Sequence, residues 1–371
     1  CARTYTIFIS SETAMLLVTL IGAFTAFMAA TIALTQNDIK RVVAYSTLSQ
    51  LGYMVAAIGT GAWVAAIFHL MTHAFFKGLL FLGCGSVIHG MHEEQDIQKM
   101  GGLRKYMPLT FWTFLIGSLA NAGVVPLAGF WSKDEIIVGA WISDSPLGKL
   151  TAIVLLAAAF LTALYMFRLV FLVFFGKERF DTSHLHPHES GKWMTIPLVL
   201  LAIPSVVIGF VGFPPEAGWF HEFLHHSFEH IEAHHVSMTM TWTFGIVSTV
   251  AALGGILAAW LAYHKGTISA EALAARFPAV YQFLYNKWYF DELYGKIFVQ
   301  PLQRFAVFLW KIVDIGVIDA AVNGVATGIS ATSQRLRHVQ TGLVANYALA
   351  IALGMVLIVG VYLAGFSNLF R

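Results

Sequence analysis

The sequence predicts an all-α polytopic membrane protein, and three observations carry that expectation. Of 371 residues, 58% are hydrophobic and 11% charged, where a soluble domain carries about 25% charged residues. Apolar runs of membrane-crossing length recur along the chain, and the mean hydropathy is +0.72. One long stretch near the C-terminal end is amphipathic rather than uniformly apolar. These features exclude a cytosolic globular enzyme and a disordered chain. A net charge of +2 leaves no footprint for nucleic acid. Cys1 and Cys84 give no disulfide framework and cannot supply a four-cysteine iron–sulfur or zinc site. The chain opens on Cys1 without Met or signal peptide, so we expect a fragment that lacks its N-terminal portion.

A membrane-crossing helix needs about 20 mostly apolar residues. Eight runs meet that length, at roughly 13–34, 39–59, 62–88, 108–137, 148–175, 193–213, 239–264 and 342–366. Lys and Arg concentrate on the cytoplasmic (or matrix) side of such proteins. The odd-numbered connections carry sixteen of them, including Lys40, Arg41, Lys99, Arg104, Lys105, Lys177, Arg179 and Lys192; the other face carries Arg3, Lys149 and Arg371. Odd connections are therefore expected inside and the C-terminus outside.

Residues 290–340 are expected to be helical without spanning. Asp319, Asn323, Thr327, Ser330, Gln334 and Arg337 recur at steps of three or four, one stripe of a 3.6-residue helix. Lys296, Gln300, Arg304, Lys311 and Asp314 continue it upstream. Phe298, Phe305, Leu309, Ile312 and Ile318 fill the opposite face. Such a helix lies in the membrane interface. It reads either as several short helices kinked at Pro301 and the glycines or as one strap about 75 Å long.

Ionisable residues inside a membrane are costly and mark function. His69, His73 and Lys77 follow one another at i, i+4 and i+8, so they stack on one helix face, about 6 Å apart along the axis. Histidine both accepts and donates a proton near neutral pH, which gives this stripe the chemistry of a proton relay. The plainer reading is a set of interhelical hydrogen bonds. Haem ligation would need histidines on a facing helix, and no other span carries a central one.

Asn121 to Pro126 places Gly123 and Pro126 in the middle of a span, which marks a broken helix of the kind transporters use to hold ions. Lys133 and Asp134 follow the break; the alternative is a loop lysine that snorkels. Asp38 is suited to cap the second span, and Lys40 beside it reads equally as a topology signal or as a relay member. Arg168 reads as a packing or snorkelling residue. Nine of the fifteen histidines lie between His184 and His235. They include His184, His186 and His188 in an inner loop, and His221, His225, His226, His230, His234 and His235 in an outer one. We expect polar loops with adventitious metal affinity.

The run from Thr35 to Met54, TQNDIKRVVAYSTLSQLGYM, resembles the signature of the antiporter-like proton-pumping subunits of respiratory complex I. Phe68 to Lys77, FHLMTHAFFK, does so too. Gly129 to Glu135, GFWSKDE, and Asn286 to Asp291, NKWYFD, resemble the largest of these subunits, the subunit 5 or chain L branch. The resemblance covers essentially the whole chain. It implies the second of two inverted five-helix repeats over 1–175, with a broken helix. Two further spans with His-rich loops would follow over 176–264, a connector and lateral amphipathic helix over 265–341, and a final transmembrane helix over 342–371.

It also implies a non-redox subunit of NADH:quinone oxidoreductase that moves protons while other subunits transfer electrons. Lys40, His69, His73 and Lys77 would belong to the central axis, and Lys133, with Asp134 beside it, would be the terminal carrier. FMN, iron–sulfur clusters, NADH and quinone would be held elsewhere in the complex, with no cofactor or metal in this chain. The partners would be other membrane-arm subunits, met through the lateral helix, and the lipid of a bacterial cytoplasmic membrane. The family's first-repeat glutamate–lysine pair is absent, so this segment alone is not expected to pump. Rival expectations are a multisubunit Na+/H+ antiporter and a purely structural clamp.

Overall fold

In the computed structural model, residues 2–181, 183, 185–214, 218–225 and 237–369 are described. Among them the regular elements are helices, and two compact units divide after Trp288. In the first unit the principal helices are α1 (Glu12–Thr35), α2 (Ile39–Gly59), α3 (Trp63–Gly90), α4 (Pro108–Ala122), α5 (Ala128–Ile142), α6 (Gly148–Phe174), α7 (Lys192–Val207) and α8 (Met238–Ala259). Six of them, together with a helix near the C-terminus, are long and apolar enough to cross a membrane.

The fourth expected span differs: α4 and α5 are 15 residues each, and neither reaches crossing length by itself. Gly123 ends α4 in the left-handed conformation, φ +80, with its N–H on the Ala120 carbonyl at 3.1 Å and the Val124 N–H on Leu119 at 3.1 Å. This is how a glycine closes a helix. The chain then passes a cis Val125–Pro126 bond and restarts at Ala128. Gly129 lets the two halves overlap: a Cβ there would sit 1.9 Å from the carbonyl oxygen of Ala120.

Short polar side chains start α1, α2 and α8. Ser11 caps α1 through the Ala14 N–H, and Asp38 caps α2 through the Lys40 and Arg41 N–H groups at 2.8 and 3.1 Å. Pro108 opens α4, where a missing N–H costs nothing. Glu189, from the loop before α7, accepts the next N–H groups, from Leu109 at 2.8 Å and Thr110 at 3.2 Å. The loop between α3 and α4 is tied to the start of α2: the Ile39 N–H reaches the Gln95 carbonyl at 3.0 Å, and the Ile97 N–H reaches the Asn37 carbonyl at 2.8 Å.

Of the spanning helices α2 is the most buried, and α7 and α8 are among the least. α7 keeps Trp193, Leu200 and Ile203 outward, as a lipid-facing helix does. α8 packs on α6 and α5, where Gly255 meets the Phe160 carbonyl and Gly245 meets Phe130 and Asp134.

In the second unit residues 290–339 run as one helical path. Right-handed helical dihedrals persist through Gly295, Gln300, Leu309 and Ala320. Wide π-type turns occupy Gly295–Val299 and Leu309–Asp319. Pro301 falls in the first turn after a π segment and does not break the path, so the single-strap reading describes this stretch. Phe298, Phe305, Leu309, Ile312 and Ile318 are exposed. The unit closes with α9, Val344–Leu369.

Candidate functional site

Polar residues inside the first unit collect in one seam between α2, α3, α4, α5 and α6. His69, His73 and Lys77 on α3 are all buried, as are Lys133 and Asp134 on α5. The facing stripe on α2 is Ser46, Gln50 and Tyr53, spaced four and three, which puts them on one side of that helix.

The α3 stripe bonds across to other helices. His69 places Nδ1 2.9 Å from Ser132 Oγ and Nε2 3.0 Å from Gln50 Oε1. Thr72 joins the same serine at 2.7 Å. The His69 and His73 rings stand 6.0 Å apart, and His73 lies edge-on to Phe76 at 5.4 Å. Lys77 donates to Ser46 Oγ at 2.6 Å and to Asn121 Oδ1 at 3.2 Å. Ser46 also receives the Tyr165 hydroxyl at 2.8 Å and the Asn121 amide at 3.1 Å. One serine hydroxyl thus joins α3, α4 and α6.

The break between α4 and α5 sets the lysine that follows it. Lys133 Nζ donates to the main-chain oxygen of Asn121 at 2.8 Å, one of the carbonyls a helix leaves open at its end. The ammonium also lies 5.4 Å from the centre of the Tyr53 ring, a cation–π separation. Asp134 turns the other way and accepts the hydroxyl of Ser248 on α8. Glu135 meets His221 of the short helix Trp219–His225, Oε1 to Nε2, at 2.5 Å.

Lys40 stands apart from this group and corrects the expectation that it joins the axis. Its side chain is exposed because it occupies the first turn of α2, just past the Asp38 cap. Ser46 lies six residues further on, about 9 Å along the helix. Arg168 is more than a packing residue. Buried, it donates to the Gln36 carbonyl at 2.6 Å and to Asn37 Oδ1 at 2.7 Å. It thereby fixes the turn between α1 and α2.

Reasoning from the sequence missed Ser46, Gln50, Tyr53, Tyr165, Ser248 and the Glu135–His221 pair. The α2 stripe was readable as helical spacing; Ser248 and His221 join the seam only through tertiary packing. His221-Glu222-Phe223-Leu224-His225 also has the HExxH spacing of some zinc sites, which the expectation of a plain polar loop passes over. Nε2 of His221 is engaged by Glu135, and no group of three candidate metal ligands occurs among the described residues. His184, His226, His230, His234 and His235 lie outside them.

A seam of two lysines, two histidines and bridging hydroxyls, buried between five helices, has groups that exchange protons. Residues 1–162 match the family model described as NADH:quinone oxidoreductase/Mrp antiporter, transmembrane. The chain is 45% identical to NAD(P)H-quinone oxidoreductase chain 5 of a Picosynechococcus species, over 94% of this chain and 56% of the relative. It is 40% identical to NADH-quinone oxidoreductase subunit L of Neisseria meningitidis serogroup A, over 100% of this chain and 59% of the relative. Against the subunit L of Rhodobacter capsulatus the identity is 38%, over 92% and 58%.

The chain therefore spans less than two thirds of the length of these curated relatives. Among solved structures the Mrp complex of a Dietzia species aligns at a TM-score of 0.55 with 24% identity, covering 84% of this chain and 34% of that one, a likeness of fold. The chain is an integral membrane protein whose residues 1–162 match the NADH:quinone oxidoreductase/Mrp antiporter transmembrane family, and over nearly all of its length it is similar to the subunit L and chain 5 relatives.

Proposed function

We propose that this chain is the proton-conducting part of a complex I-type NADH:quinone oxidoreductase subunit in a bacterial cytoplasmic membrane. It moves protons along the buried seam while other subunits carry out electron transfer, with FMN, iron–sulfur clusters, NADH and quinone bound there. The observation that supports this most is the bridging role of Asn121. Its side-chain oxygen holds Lys77 at 3.2 Å and its main-chain oxygen holds Lys133 at 2.8 Å. Two amines on separate helices share one residue, so a change in the charge of one alters the field at the other. Two like charges this close in a low-dielectric seam oppose one another strongly. A proton arriving at Lys77 therefore favours loss of one from Lys133.

The test is Lys133→Ala in the full-length subunit, with proton uptake measured in vesicles holding the assembled complex. Loss of a positioned proton carrier is expected to lower the rate by about a hundredfold or more. Wild-type pumping with normal assembly removes Lys133 from the mechanism. An Na+/H+ antiporter is the competing reading, since the family model includes Mrp antiporters. A sodium-dependent pH change without NADH would favour it; the names of the 38–45% identical relatives favour the quinone oxidoreductase.

The exposed apolar face of residues 290–339 supports membrane-arm subunits of the same complex as the partners of this chain. Deleting that stretch while keeping α9 is expected to release the subunit from the complex on a native gel. Retention of the shortened subunit would remove the helix as the contact.

A further inference from the structure

α5 carries three ionisable residues in succession, and a turn of about 100° per residue sends them three ways. Lys133 faces α4, Asp134 faces Ser248 of α8, and Glu135 faces His221 in the short helix Trp219–His225. Lys133 and Asp134 are 1% and 5% exposed, whereas the Glu135 side chain is 19% exposed. Access to solvent thus opens along these three neighbours and is greatest at Glu135, while its partner His221 is 6% exposed.

The loop helix is seated firmly. Phe220 and His221 pack their rings on Phe68 at 5.4 and 5.8 Å, and Phe68 immediately precedes His69 of the seam. Gly212 presses on the same ring from the end of the preceding span. Among the described residues, Lys133 and Asp134 adjoin Glu135 on α5 and Glu222 adjoins His221 on the loop helix; His69 follows Phe68, whose ring His221 touches, and α8 presents the Ser248 hydroxyl to Asp134. A carboxylate and an imidazole paired beside aromatic rings gain little stability over an apolar pair. A histidine in contact with an acid is, however, able to receive and release a proton near neutral pH.

We propose that Glu135, held in place by His221, is the outward outlet of the seam, the last proton-exchanging group before the outer solution; this rests on the proton-conducting reading above. The Glu135 carboxylate takes up a proton from the Lys133 side while Nε2 of His221 stays in contact with its Oε1. The carboxylic acid then releases that proton through its exposed edge to the outer solution, which restores the carboxylate, and the His221 imidazole holds that carboxylate in place. Phe68 and Phe220 keep lipid from the transfer and hold the imidazole where Glu135 reaches it.

The experiment uses the full-length subunit in the assembled complex, reconstituted in vesicles. Initial pumping rate is recorded against the pH of the solution on the outer-loop side for wild type, Glu135→Gln, His221→Gln, Glu135→Asp and Lys133→Ala. The two neutral variants are expected to pump at least about tenfold more slowly and to lose the wild-type dependence on outer pH. Glu135→Asp, whose carboxylate is one methylene shorter, is expected to pump at an intermediate rate with a shifted profile. Wild-type rates and profiles in the Glu135 and His221 variants, with Lys133→Ala silent, overturn the outlet and leave the seam standing. Wild-type pumping by Lys133→Ala instead overturns the seam and the outlet with it. Should a neutral variant fail to assemble, Glu135→Asp decides, and an unchanged profile there overturns the proposal.

Discussion

Lys133 donates its ammonium to the main-chain oxygen of Asn121 across the gap between two half-helices, at 2.8 Å. A continuous helix would have used that carbonyl for its own hydrogen bond four residues on. Ending α4 at Ala122 frees it, and the C-terminal end of a helix carries partial negative charge that favours a cation. The break is thus what creates a lysine site inside the bilayer.

Asn121 serves two lysines with two different atoms, and substitution separates them. Asn121→Ala removes Oδ1 from Lys77 and leaves the main-chain oxygen on Lys133. A hydrogen bond to a charged group contributes about 1.5–3 kcal/mol, enough to displace Lys77 toward Ser46 alone. Pumping in vesicles is expected to fall while the complex still assembles. A variant with the wild-type pumping rate would show that the two amines do not communicate through this residue.

Gly129 is the residue on which the overlap of the half-helices depends. A methyl group there would lie 1.9 Å from the Ala120 oxygen, a contact that backbone atoms cannot yield to cheaply. Gly129→Ala is expected to destabilise the protein by about 1–3 kcal/mol, the size of an overpacked core, and to move Lys133 off Asn121. A lowered melting temperature in detergent, together with reduced pumping, checks both parts. An unchanged melting temperature would mean the halves separate without cost.

The helices themselves were legible because membrane crossing imposes length and apolarity on each run. The i, i+4, i+8 spacing of His69, His73 and Lys77 placed them on one face, and Gly123 with Pro126 marked the break. The partners were harder to read. Ser46 and Tyr165 are small or amphipathic residues that occur on any helix, and only packing brings both hydroxyls to one point. Lys40 misled for the opposite reason: a charge at a span boundary fits both a topology signal and a buried carrier, and periodicity does not distinguish the two. His221 sits among many loop histidines, and its pairing with Glu135 spans 86 residues of sequence.

Glu94 makes the inner loop sensitive to acid. It accepts the N–H groups of Asp96 at 2.9 Å and Gln95 at 3.0 Å, and the Lys99 ammonium at 3.2 Å. The Asp96 N–H first, then Lys99, hold its carboxyl below the usual 4.5, against the opposing effect of partial burial. A carboxyl lowered on folding stabilises above its unfolded value, and that contribution is lost as pH falls through the folded value. Melting temperature in detergent is expected to drop below about pH 4.5 in the wild type and to drop less steeply in Glu94→Gln. Identical acid limbs for the two proteins would remove Glu94 as a source of the effect.

Arg168 reaches from α6 to the turn between α1 and α2, and its shape matters as much as its charge. One guanidinium nitrogen meets the Gln36 carbonyl at 2.6 Å and the other meets Asn37 Oδ1 at 2.7 Å, while the group stands 5.7 Å from the centre of the Tyr263 ring. The Asn37 carbonyl in turn receives the Ile97 N–H at 2.8 Å, so this arginine anchors the inner loop as well. A lysine keeps the charge but offers no planar fork. It leaves either Gln36 O or Asn37 Oδ1 without its charged donor, at a cost of about 1.5–3 kcal/mol. Arg168→Lys is therefore expected to melt at a lower temperature and to expose the 92–99 loop to protease sooner than the wild type. If it melts and resists cleavage like the wild type, positive charge alone holds the turn and the two-pronged contact is dispensable.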